Sequence, residues 1–146
     1  GPSDGLLRFK VMKDEKFLYL LTLISDDQWV IDDPAQKDLL YLYLEDPEGG
    51  QNLVVFSPGN NKMTVEGKGA ITIKDIGVTK HFQDSLLMTE FKIPITRLIK
   101  KDHSVRINIG FRDQDNIPEK QFSTIFWKPI WGSQSDYKNS GTFLLK

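Results

Sequence analysis

Lys13 to Asp46 reads KDEKFLYLLTLISDDQWVIDDPAQKDLLYLYLED, and its two apolar runs decide the fold. Phe17–Ile24 and Leu39–Leu44 are each too short for an ordinarily capped globular helix. Both are rich in aromatic and branched side chains, so both predict strands. In the first run Phe17, Tyr19, Leu21 and Leu23 fall on one face and Leu18, Leu20, Thr22 and Ile24 on the other; in the second, Tyr41 and Tyr43 oppose Leu40, Leu42 and Leu44. Strands apolar on both faces are expected at the centre of a sheet, with cover on each side. Between the runs, Ser25–Asp38 is a polar loop carrying Asp26, Asp27, Asp32, Asp33 and Asp38 around Trp29. Loops held by a rigid scaffold concentrate binding residues, although no catalytic signature is present in this one.

Moving outward, Leu6–Val11 alternates apolar with basic residues as a half-buried strand does, and Met12–Lys16 is a polar turn. Asp46-Pro47-Glu48-Gly49-Gly50 is turn chemistry, followed by a strand at Leu53–Phe56 and a second turn at Ser57–Asn61. Met63–Val65 and Ala70–Ile76, separated by Glu66-Gly67-Lys68-Gly69, read as a hairpin. Leu86–Ile93 alternates until Pro94, and a turn of helix is expected at Ile95–Ile99. In Val105–Phe111 the residues Val105, Ile107, Ile109 and Phe111 face one way, with Arg106, Asn108 and Gly110 facing the other. Arg112–Lys120 reads as a charged loop, Phe122–Trp127 as a strand, Lys128–Ser140 as a long loop and Thr142–Leu145 as a closing strand. Nine or ten short strands, with no long helix, repeat or low-complexity linker, predict an all-β antiparallel sandwich, immunoglobulin-like or jelly-roll. A single domain is expected over residues 4–146, with Gly1-Pro2-Ser3 reading as the remnant of a cleaved expression tag.

A chain of 146 residues can bury a substantial core. With 19 basic and 20 acidic residues, no charge excess calls for nucleic acid or an anionic membrane. The absence of cysteine removes disulfides, thiol catalysis and cysteine-ligated metals without fixing a compartment. No apolar run approaches the roughly 20 residues that a membrane span needs.

Catalytic chemistry finds little purchase. His81 and His103 stand apart in polar surroundings, and neither a nucleophile elbow nor a glycine-rich phosphate loop occurs. The carboxylates lie mostly in turns, so a paired-acid glycosidase gains no support from spacing. Asp26, Asp27, Asp32 and Asp33 could supply oxygen ligands to calcium, but they lack the spaced pattern of a helix-loop-helix site, and a solvated acidic loop is the simpler reading. The tryptophans say more. An indole stacks on the apolar face of a pyranose while neighbouring amides and charges bond its hydroxyls. Trp127 closes a strand and reads as core; for Trp29 and Trp131, both in polar loops, binding and structural roles stay open.

The order of segments resembles a known family. KDEKFLYL at Lys13–Leu20, Ser25-Asp26-Asp27 and DLLYLYLED at Asp38–Asp46 resemble the leading block of family 9 carbohydrate-binding modules and the related DOMON domains. TEFKIPITRL at Thr89–Leu98, VRINIGFRDQD at Val105–Asp115 and the stretch from Trp127 to Leu144 resemble the later motifs in the same order. The family's opening segment, with a tryptophan ahead of the first long strand, has no counterpart here. The resemblance implies a β-sandwich outside the cytoplasm (secreted, periplasmic or cell-surface). It also implies a non-catalytic module that recognises a glycan or polysaccharide, attached in many cases to a hydrolase domain. Clamping tryptophans would come from Trp29, Trp127 and Trp131, with Arg112, Asp113, Gln114 and Asn116 as polar partners and Tyr137 a further binding candidate, none matched one for one to a family motif. Haem-binding relatives use methionine with histidine or lysine, for which Met63, Met88, His81 and His103 are nominally available, Met88 being expected in the core. The alternative from another class is a structural or protein-interaction sandwich within a larger surface protein.

Overall fold

The period of two in the sequence is carried into two facing sheets, seen in a computed structural model that describes residues 6–25, 38–116, 121–126 and 141–145. The strands are β1 (Leu6–Lys13), β2 (Phe17–Ser25), β3 (Leu39–Glu45), β4 (Gln51–Ser57), β5 (Lys62–Gly67), β6 (Gly77–Gln83), β7 (Leu86–Pro94), β8 (Ser104–Asn116), β9 (Gln121–Phe126) and β10 (Gly141–Leu144). Short 3₁₀ turns occur at Ile73–Asp75 and Ile95–Arg97. One sheet has four strands in the order β1-β2-β7-β6; the other has six, in the order β10-β8-β3-β4-β5 with β9 also paired to β8. All the pairings are antiparallel. The predicted antiparallel sandwich is what forms.

The two defining runs lie centrally in opposite sheets, β2 between β1 and β7, and β3 between β4 and β8. Leu18, Leu20 and Ile24 of β2 and Phe91 and Ile93 of β7 share one core with Leu40, Leu42 and Leu44 of β3 and with Val105, Ile107, Ile109 and Phe111 of β8. Phe56 and Phe91 meet edge to face across the sheets, with ring centroids 5.9 Å apart. Cover on both faces is realised for β3, where Tyr41 and Tyr43 are buried on the outward side. For β2 it is not. Its outward residues alternate as half-exposed against a buried inner row, so that face of the four-stranded sheet is only partly shielded.

The 70–76 segment is not a strand, contrary to the hairpin expected with 63–65. Its amides are taken by side chains instead of a ladder: Ala70 N–H donates to Asp46 Oδ2 at 2.7 Å and Ile71 N–H to Asn52 Oδ1 at 3.1 Å. Asp46 also accepts from the amides of Glu48 and Gly50, at 2.9 and 2.8 Å. The two turns approach so closely that a Cβ on Gly50 would lie 2.8 Å from the Cα of Gly69. Two further stretches form strands that the sequence reading left out. Gly77–Gln83 forms an edge strand paired with β7, turning through Asp84 at φ 56°. Residues 112–116, expected in a charged loop, continue β8 and pair with β9 through an irregularity between Asp113 and Asn116. Met88 faces outward, half-buried beside Leu21 and His81, not into the core.

Truncating Phe91 to alanine removes a fully buried ring from both sheets' shared core and is expected to cost about 3–5 kcal/mol in urea unfolding. Burial pushes the Asp46 carboxyl up, but its three backbone donors and nearby Lys100 outweigh that and hold it below the usual carboxylate range. Its contribution to stability is therefore present above the unfolded-state pKa of about 4 and lost as pH falls through the lower folded value. Asp46→Ala is expected to lose about 2–4 kcal/mol at neutral pH and to flatten the acid limb of stability against pH; an unchanged acid limb would contradict the clamp.

Candidate functional site

Register places a row of polar and aromatic side chains on the outward face of the six-stranded sheet. Tyr41 pairs with Gly110, Tyr43 with Asn108 and Leu39 with Arg112, so these residues share one face. The Tyr41 and Tyr43 rings lie 6.5 Å apart at 37°, packed with Leu53, Leu39 and Val55 in a second apolar cluster separate from the main core. Tyr43 and Asn108 are fully buried and Arg112 is half-buried. The Asn108 Oδ1 accepts the Ile109 amide at 2.9 Å, which fixes the side chain. Further along the same face, Glu45 bridges Lys100 and Arg106 at 2.8 and 2.9 Å. Ser57, on the Leu39 row, has a buried hydroxyl with no hydrogen-bond partner among the described residues. An apolar sheet exterior would be simpler to satisfy. Polar groups held this rigidly keep a fixed orientation.

The strand ends that flank two of the chain's connections lie near this stretch of β8. The 26–37 connection, which contains Trp29, leaves the four-stranded sheet at Ser25 and reaches β3 at Leu39, the register partner of Arg112. β9 ends at Phe126, paired with Gly110, and β10 begins at Gly141, paired with Ile107. Both strands line the same edge of β8. The connection 127–140, with Trp127, Trp131 and Tyr137, thus starts and finishes three residues apart along one strand, a span of about 10 Å.

Of the predicted site residues, Arg112 lies in β8 on the tyrosine face, and Asp113, Gln114 and Asn116 lie in the backbone of β8 just beyond it. Trp29, Trp127, Trp131 and Tyr137 lie outside the described residues, as do the calcium candidates Asp26, Asp27, Asp32 and Asp33. Among the described residues no group of three or more histidines or acids is placed to hold a metal. Tyr41, Tyr43 and Asn108 were not singled out for binding; their outward alternation on β3 and β8 was the signal for them. The haem candidates do not converge. His81 and Met88 are cross-strand partners on one face, whereas axial ligands approach an iron from opposite sides; Met63 packs against the core from the other sheet. A depression of about 510 Å³ lies at the far end of the sheet between Pro47–Gly49 and Lys100–Asp102 and is lined by no aromatic residue.

No protein-family model matches the sequence, and no curated protein matches it. Two solved structures of a family 9 carbohydrate-binding module from Caldicellulosiruptor kristjanssonii are similar in fold. The glucose complex superposes with a TM-score of 0.76 at 16% identity, over 99% of this chain and 78% of that one. The cellotriose complex gives 0.75 at 15% identity, over 99% and 76%. Likeness at this identity establishes a shared β-sandwich architecture.

Proposed function

We propose that this chain is a non-catalytic carbohydrate-binding module that takes a glycan beside the Ile107–Arg112 stretch of β8. One observation carries the reading: the connection that holds Trp127 and Trp131 begins and ends on strands paired to that stretch, and the connection that holds Trp29 enters β3 at Leu39, the register partner of Arg112, beside the layer of Tyr41, Tyr43, Asn108 and Arg112. In this reading Trp29, Trp127, Trp131 and Tyr137 supply aromatic faces for a sugar ring, and Arg112 donates to its hydroxyls. Asp113, Gln114 and Asn116, which prolong β8, extend the polar rim. The similar modules of known structure hold glucose and cellotriose, which favours a glucan-type ligand. The module works outside the cytoplasm, bringing an attached hydrolase to its polysaccharide.

A glycan array followed by calorimetry tests this. Binding to at least one plant, microbial or host glycan is expected, with Trp29→Ala or Trp131→Ala weakening it about tenfold or more and Arg112→Ala by a similar factor. No binding to any glycan class would sink the proposal.

A further inference from the structure

The outward face of the four-stranded sheet is a different kind of surface. Register sets Lys10, Leu21 and Glu90 side by side across β1, β2 and β7, and Arg8, Leu23 and Met88 in the next outward row. Leu21, Leu23, Met88 and Glu90 are partly buried and Lys10 is exposed. A shallow depression of about 210 Å³ opens between Leu21, Met88, His81 and Glu90. Contiguous apolar side chains left in partial contact with water favour association when another surface covers them.

The charges name the occupant. Lys10 and Glu90 flank Leu21 on its two neighbouring strands, each about 4.8 Å from β2. A twofold axis running along β2 through Leu21, midway between two such faces, lays β1 of one copy over β7 of the other. Lys10 then meets Glu90 of the second copy, and the contact occurs twice by symmetry. Leu21 meets its own counterpart, and the aliphatic stem of Arg8 covers Met88 of the second copy. The roughly 30° crossing common to packed sheets moves these groups little, because they lie beside the axis. An unrelated partner would have no need of opposite charges placed symmetrically about one leucine.

We propose that a second copy of this chain docks on this face through an isologous Lys10–Glu90 pairing around Leu21. The face spans roughly 19 Å by 25 Å, so the dimer buries roughly 1,000 Å² in all, at the low end for specific interfaces. It is therefore concentration-dependent. The proposal does not rest on glycan binding.

Sedimentation velocity from about 1 µM to about 500 µM is expected to show a monomer–dimer equilibrium. Lys10→Glu and Glu90→Lys each place like charges at both contacts and are expected to raise the dissociation constant about tenfold or more. The double reversal K10E/E90K restores dimerisation to near the starting value. Thermal unfolding of each variant checks that the surface changes leave the fold intact. A monomer throughout the range, a dimer insensitive to either reversal, or a double variant no better than the singles would overturn the proposal.

Discussion

The closure of β2 against β3 across the sandwich is the contact on which the other parts depend. Leu18, Leu20 and Ile24 from one sheet and Leu40, Leu42 and Leu44 from the other lie within a single core, and each strand is the anchor for two neighbours. Because strand side chains alternate, fixing the inner row of either strand fixes everything on its outer face. A slip of one residue in β3 would bring Tyr41 and Tyr43 into the core and turn Leu40 and Leu42 outward. The position of the candidate site is therefore a consequence of core packing, not of any separate local device.

That dependence explains what could be read in advance. Strands with a strong apolar row, such as β2, β3 and β7, announced themselves with nearly correct limits, and β8 had its two faces assigned correctly over Val105–Phe111 although it runs on to Asn116. β6 did not, because an edge strand needs little apolar content: Gly77, Thr79, His81 and Gln83 face water and look like loop residues. The missed turn signal was Asp84, a residue type that tolerates positive φ. The 70–76 segment failed in the opposite sense, since apolar alternation at Ile71 and Ile73, with Ile76 close behind, imitates a strand. What decides against it is tertiary: Asp46 and Asn52 capture its first amides, and no periodicity of its own could reveal that. For the site, Arg112 was legible as a polar residue beside an apolar strand, whereas the tyrosines and Asn108 gained meaning only once register set β3 beside β8.

The two outer faces of the sandwich show how similar local patterns take different roles. Both present aromatic and aliphatic side chains at alternate positions. On the six-stranded sheet these are buried and interleaved with hydrogen-bonding groups and a paired glutamate, an arrangement suited to holding orientation. On the four-stranded sheet they stay half-exposed, with charges at the flanks. Sequence alone makes both strands look equally covered. Their surroundings separate them.

The interrupted edge formed by β9 and β10 also bears on how such a domain can change. A connection whose ends stand side by side on one scaffold strand can be lengthened or exchanged without moving the sheet, because each doubling of a loop's length adds only about 0.6 kcal/mol to its closure. The fourteen positions between Phe126 and Gly141 can therefore change in length or sequence in descendants of this chain at little cost to the sheet that frames them.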